Sequence, residues 1–433
     1  MPYSPTSLIE VRAWGRTVGA IAAQPRGRAY AFEFDQDWVR GGIDLSPALM
    51  PIGGRRRVFS FPGLSEATFQ GLPPLIADAL PDRFGNAIVD AYLAREGVPA
   101  AQITALDRLA YLGSRGLGAL EFVPDVAPHA PSPTGLDLAD LITSARAAVE
   151  GSLASDSESE ASLRRIIDVG TSAGGARAKA ILNINIDTME LRSGHLPPEP
   201  GFDPWLLKFD GVGDDDQLHE TGNFGRVEYA YSLMARAAGI TMSETRLLEE
   251  NGRAHFMTRR FDREGGGRKL HAQTLCGMDA LDFNQTNTHD YAQYLSRIDA
   301  LGLGEDSLVE AFRRAAFNVA SANCDDHTKN FSFLLDEKSG WHLAPAYDIT
   351  HAYRPTSIWV NQHLMSVDGE FADIRRRHLL VLADQFAIPG ARSVLDQVAD
   401  SVTRWDGFAD EAGVPDQMAR AIKADHRVES LRT

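Results

Sequence analysis

Cysteine is nearly absent from this sequence, with only Cys276 and Cys324 in 433 residues. The two stand far apart with no paired spacing, which argues for reduced thiols in a cytoplasm rather than a disulfide framework or a zinc site. Positive charge is scarce as well: 43 Lys and Arg face 59 Asp and Glu, for a formal net charge of −16. That balance speaks against a large autonomous nucleic-acid surface, which needs clustered cations. A basic protein partner suits it better. Anionic ligands such as ATP stay open, because a local cationic pocket and a bound metal can outweigh the average field. No apolar run approaches the roughly 20 residues that cross a bilayer. The first residues, MPYSPTSLIEVRAWG, carry no basic stretch ahead of an apolar core. A soluble chain with no membrane partner and no secretion signal is therefore expected.

What is present fits an ordinary globular protein, 44% hydrophobic and 24% charged, long enough for roughly three units of domain size. Residues 8–35 alternate apolar and polar positions around turn signals and read as a short antiparallel sheet. Residues 74–97 switch to helical spacing, with Pro81 splitting them into two helices. The proline-rich segment 124–135 reads as a linker, followed by an amphipathic helix over 136–151 and the acidic, solvated loop SLASDSESEAS. Strands are expected at 179–186 and 204–210, a helix at 225–239, then the strands TRLLEE and AHFMTRRFDR, and mainly helices from about 290 onward. That order predicts an α+β architecture, a small sheet lobe feeding a helical lobe.

The chemistry concentrates in CDDHTKNFSFLLDEKSGWHLAPAYDIT, residues 324–350. Protein kinases place an Asp base, four intervening residues, an Asn for a metal and a second metal-binding Asp further on. Asp325, Asn330 and Asp348 repeat that spacing, the last beyond a hairpin-like segment. The base must take a hydroxyl proton in line with the γ-phosphate, while magnesium on hard oxygen ligands neutralises the β and γ oxygens. Read alone, Asp-x-x-x-x-Asn is more often a turn whose side chains satisfy backbone amides. Upstream elements add weight. The segment 168–184 is a glycine-rich turn (Gly170, Gly174, Gly175) that runs into a strand, a shape that lets backbone amides approach phosphates. Lys208 lies within the apolar strand WLLKFD, where an ammonium wants phosphate or carboxylate oxygens, the alternative being a lysine snorkelling to water. Glu228 on the following helix can supply that carboxylate. Glycine loop, strand lysine, helix glutamate, base, metal Asn and metal Asp follow one another in kinase order.

At this point the chain resembles the HipA-like serine/threonine kinases, toxins of HipA/HipB toxin–antitoxin modules. The blocks AWGRTVGAI, ALPDRFGN, GTSAGGARAK, WLLKFD, VEYAYSLMARAAGI, RRFDR, DDHTKNFSFLL and LAPAYDI carry the likeness along nearly the whole chain. The resemblance implies a divergent two-lobed kinase-like fold. An N-terminal β/α subdomain would span 1–125, a β-rich N-lobe 126–262 and a helical C-lobe 263–433. It implies ATP and Mg2+ as cofactors, with Asp325 as catalytic base, Lys208 as the phosphate-binding lysine, Glu228 as its catalytic carboxylate partner, and Asn330 and Asp348 as metal ligands. Gly170, Ser172, Ala173, Gly174, Gly175 and Ala176 would cover the phosphates, and Ser172 would be autophosphorylated as an off-switch. Arg259 and Phe261 would line the adenine at the link between lobes, Asp262 would approach the ribose, and His327 and Lys329 would sit in the nucleotide-binding loop. The implied partners are a protein substrate such as an aminoacyl-tRNA synthetase and a small helix-turn-helix HipB-like antitoxin, with DNA reached only through the antitoxin. Two departures stand out. Asp326 follows the base where the family often has glycine, so it either holds another ion or caps a helix, and Ala178 precedes Lys179 where the family often has proline or an acid. Two competing readings remain: a lipid or small-molecule kinase, and a non-catalytic nucleotide-binding regulator. Cys324 beside the base invites a redox role, against the plainer reading of a buried apolar thiol.

Overall fold

The computed structural model describes residues 4–25, 29–127, 135–149, 177–212 and 222–433. The glycine loop from Gly170 to Ala176, with Ser172, Ala173, Gly174 and Gly175, lies outside the described residues. So do the acidic run and most of the proline-rich linker.

The N-terminal alternation becomes strands β1 (Leu8–Ala13), β2 (Arg16–Ala23) and β3 (Tyr30–Phe34). With β4 (Val58–Phe59) and β5 (Glu121–Val123) they form a five-stranded sheet in the order β4-β3-β2-β1-β5. Their inward residues, Ile9, Val11, Ile21 and Phe32 among them, are fully buried. Pro81 does break the helical stretch. A short turn of helix, Pro74–Ala77, ends before it, and a longer helix, Arg83–Arg95, begins after it, with Asp82 capping the amide of Gly85 at 2.7 Å.

A second five-stranded sheet runs β7-β6-β8-β10-β9, from β6 (Lys179–Asn185), β7 (Glu190–Ser193), β8 (Asp203–Lys208), β9 (Thr245–Glu250) and β10 (Arg253–Arg259). β7 has no counterpart among the strands expected from the sequence. Lys179 and Lys208 are register partners on neighbouring strands, so two ammonium groups start side by side. The helix Phe224–Ala237 packs on β10 through Gly225, and the carboxylate of Asp210 accepts hydrogen bonds from the amides of Asn223 and Phe224 (2.9 Å each), capping it. Phe84, Ile88 and Val89 of the helix after Pro81 share one core with Leu182, Trp205 and Leu207.

The short ladder of β11 (Arg263–Glu264) with β12 (Arg268–Lys269) leads into β13 (His271–Thr274). Further on, β14 (His289–Asp290) pairs in parallel with β17 (Met365–Ser366), and β15 (Ser332–Asp336) forms the expected hairpin with β16 (Gly340–Leu343). Otherwise the C-terminal part is helical, built around Glu305–Ser321, Ala391–Thr403 and the helices that follow. Tyr231, Tyr291, Phe312, Phe317 and Trp405 fill its core. No helix among the described residues is long and apolar enough to cross a membrane.

Candidate active site between the lobes

Two cavities meet in the cleft between the second sheet and the helical part, and Lys179, Lys208, Glu228 and Asp348 border both. The inner cavity adds the apolar wall Leu206, Met242, Phe256 and Ile349, together with Asn330 and Lys329. The outer one opens past Asp325 toward Tyr353, Arg354 and the helix Asp416–Asp425.

At the junction the Nζ of Lys208 donates to Glu228 Oε1 at 2.5 Å and to Asp348 Oδ1. Burial alone would lower the Lys208 ammonium, yet Asp348 and Glu228 outweigh it and hold the group above its ordinary value. Burial also acts most strongly on Glu228, and there it wins over the nearby Lys208 and pushes the carboxyl up. For Asp348 burial is outweighed by Lys208, assisted by Lys179 and His327, so the carboxyl stays well below the usual carboxylate range. Asp348 is thus a fixed anion. Its backbone sits at φ 56, a left-handed conformation uncommon outside glycine, and such strain is often found where a functional side chain has to be aimed.

The helix Glu305–Ser321 stops at Ala322, also left-handed (φ 55), and the chain then crosses the cleft floor as the loop 323–330. Asp325 is the open member of this loop, its side chain 39% exposed. The Nδ2 of Asn330 donates to the carbonyl of Asp325 at 2.7 Å, which orients the amide and leaves its oxygen for the cleft. Asn330 and Asp348 line the inner cavity together and offer hard oxygen donors of the kind magnesium takes. His327 Nε2 lies 3.9 Å from Asp325 Oδ1, and its ring packs on Phe283. Lys329 sits over the same Phe283 ring and reaches the inner cavity.

Asp326 lines neither cleft cavity. It is buried, and its two oxygens accept from Tyr291 Oη (2.7 Å), His363 Nδ1 (2.9 Å) and the amide of Leu364 (2.7 Å). The Cys324 thiol is buried 3.9 Å from His363 Nε2. Among the described residues no group of three or more His, Cys, Asp or Glu is arranged to hold a metal ion.

The expectation for Asp262 needs correcting. Its carboxylate is 1% exposed, pairs with Arg260 and Arg263 (2.6 Å each), and accepts the amide of Gly118 at 2.7 Å. Burial is opposed by the two guanidinium groups, which hold it well below the usual range. Facing the N-terminal loop, it has no oxygen to offer a ribose. The side chains of Arg259 and Phe261 border a separate groove, not the cleft cavities, with Arg259 paired to Asp203 and Phe261 packed on Tyr347.

Several contributors went unseen in the sequence. Lys179 pairs with Asp82 at 2.8 Å, both side chains 3% exposed. Asp78 accepts from the amide and hydroxyl of Thr274 at 2.6 and 2.7 Å on the cleft wall. The only available signal was the pair of acids in ADALPDRFGN, which local spacing cannot connect to the cleft.

The fold and cleft define a kinase-like protein of two lobes with an added N-terminal sheet subdomain. The chain belongs to the HipA family: a family model described as HipA-like C-terminal domain matches residues 171–405, and one described as HipA N-terminal domain matches residues 9–123. Among solved structures it is similar to HipA from Shewanella oneidensis MR-1, solved as a toxin–antitoxin complex with HipB and operator DNA. That likeness has a TM-score of 0.66 at 16% identity and covers 98% of this chain and 96% of that one. A weaker likeness is to the Helicobacter pylori proinflammatory kinase CtkA, with a TM-score of 0.34 at 12% identity over 53% of this chain and 89% of that one. No curated protein sequence matches the chain.

Proposed function

We propose that the protein is an ATP- and magnesium-dependent serine/threonine protein kinase acting as the toxin of a toxin–antitoxin pair. The observation that carries this reading is the meeting of Lys208, Glu228, Asp348, Asp325 and Asn330 at one junction between an apolar cavity and an open one. The adenine would enter the apolar cavity, and the phosphates would lie against Lys208 and Lys179. An acceptor hydroxyl would arrive from the open side. Asp325 takes the hydroxyl proton as the new oxygen–phosphorus bond forms, and the bond to the β–γ bridging oxygen breaks with its electron pair leaving on ADP. Glu228 fixes Lys208 so that its ammonium points at phosphate oxygens. Asn330 and Asp348 would hold magnesium, which when bound neutralises charge on the phosphate oxygens.

The net charge of −16 suits a basic, DNA-bound antitoxin of HipB type, through which DNA would be met indirectly. A protein of the translation apparatus such as an aminoacyl-tRNA synthetase as substrate, and Ser172 as the autophosphorylated off-switch, rest on family resemblance alone. The test is transfer of labelled γ-phosphate in the presence of magnesium, alone and in a lysate, beside Asp325→Asn. The expected result is label on Ser172 or a lysate protein, lost by a factor of about 100 or more in the variant. ATP binding without transfer, from protein shown by mass spectrometry to carry no phosphate at Ser172, would sink the kinase reading.

A further inference from the structure

The loop between Ala352 and Leu364 is stitched to the catalytic loop at both ends. At its start Cys324 N donates to Ala352 O (3.2 Å) and Ala352 N to Ala322 O (3.3 Å). At its end His363 Nδ1 and the Leu364 amide engage Asp326. Between these seams the loop closes on itself. Arg354 N donates to Val360 O (3.0 Å), and the Ser357 hydroxyl oxygen accepts from the amides of Trp359 (3.1 Å) and Val360 (3.2 Å). The turn so made aims the half-buried Trp359 at the base, where its Nε1–H donates to Asp325 Oδ1 at 3.1 Å.

We infer that Trp359 is a positioning residue for the base: the indole N–H occupies one carboxylate oxygen of Asp325 and turns the other toward the acceptor hydroxyl. The inference rests on the kinase reading above. A carboxylate at the end of a single rotatable stem, 39% exposed, has several orientations open to it. A donor held on a loop that is fixed at both ends and internally closed selects one of them, and a well-oriented reacting group is worth far more to the rate than to binding. The donor has no contact with the inner cavity, whose lining does not include Trp359. ATP affinity should therefore not depend on it.

The experiment compares the full-length protein with Trp359→Phe, which keeps an aromatic ring and removes the N–H, and with Ser357→Ala, which loosens the turn without touching Asp325. The expected result for Trp359→Phe is a fall in kcat of about tenfold, the effect of one hydrogen bond to a charged group. KM for ATP should stay within about twofold and the melting temperature should be unchanged, with Ser357→Ala showing a smaller loss in kcat of the same kind. Placed on Asp325→Asn, Trp359→Phe should cause no further loss, because its effect passes through that carboxylate. A kcat equal to or above that of the parent, a loss confined to KM, or an undiminished loss on Asp325→Asn would overturn the inference. An inactive parent protein would instead remove the kinase reading, and the positioning role with it. If Trp359→Phe fails to fold, the kcat-to-KM split of Ser357→Ala decides the matter by itself.

Discussion

At the scale of single residues the buried histidines set opposing pH dependences. Burial would lower His363, but the adjoining Cys324 sulfur and Asp326 carboxylate outweigh it and raise the ring to about 10, from an ordinary 6.5. A folded value above the unfolded one means that the folded state binds the extra proton. The stabilisation is therefore complete below about pH 6.5 and is lost as pH climbs toward 10, at about 1.4 kcal/mol per unit of difference. His255, His271 and His426 run the other way, each pulled down to about 4, chiefly by burial. They resist protonation in the fold, so their contribution is present above about pH 6.5 and is lost as pH falls toward 4. Urea unfolding across pH should accordingly show stability greatest near pH 6 to 7 and declining on both sides, and His363→Gln should flatten the alkaline decline alone. An alkaline limb unchanged in that variant would refute the assignment of His363 as the group responsible.

At the scale of elements the helix that carries Glu228 depends on a close approach. A Cβ on Gly225 would stand 2.0 Å from the carbonyl oxygen of Ala254, so Gly225→Ala must push the helix off β10 and carry Glu228, one turn on, away from Lys208. A loss of about 1–3 kcal/mol is expected from such overpacking, together with weakened phosphate transfer. Gly407 offers the control, since it is helical with nothing within 4 Å of its Cβ position. Gly407→Ala should be neutral or stabilising by up to about 1 kcal/mol. Equal melting shifts for the two variants would show that packing is not the cause. Elements of this kind were legible because their signals are local: period-two alternation marked β1 to β3, helical spacing marked residues 74–97, and proline marked the break before Arg83. That Asp325, Asn330, Asp348, Lys208 and Glu228 meet at one cleft was legible for a related reason, since each lies on its own element in the order of the kinase pattern. The link between lobes was not. RRFDR contains an acid at a plausible distance from the cleft, but whether it faces a ribose or folds back depends on Gly118, 144 residues earlier, whose amide it accepts. Asp82 and Trp359 escaped for the same reason: each acts on a residue remote in sequence, and spacing encodes only neighbours.

At the scale of the whole molecule, the N-terminal sheet subdomain touches both sides of the cleft. Asp82 meets Lys179 on the second sheet, Asp78 meets Thr274 on the opposite wall, and Cys276 and Leu335 sit inside the N-terminal core. The link between the lobes is tied to the same subdomain: Arg260 donates to Gly116 O, Arg263 to Gly118 O, and Asp262 accepts from Gly118 N. Domains joined by small polar interfaces move independently, whereas a shared apolar core and buried ion pairs couple unfolding. A single cooperative thermal transition is therefore expected by calorimetry, despite two sheets and a helical lobe. Asp262→Ala removes the carboxylate from between two buried guanidinium groups, at a cost of about 3–5 kcal/mol, and should lower that one transition as a whole. KM for ATP should change little in protein that remains folded, because the carboxylate faces Gly118 and not the inner cavity. Two resolved transitions with only one of them shifted would show that the subdomain unfolds independently. A raised KM at unaltered stability would return Asp262 to the ribose side.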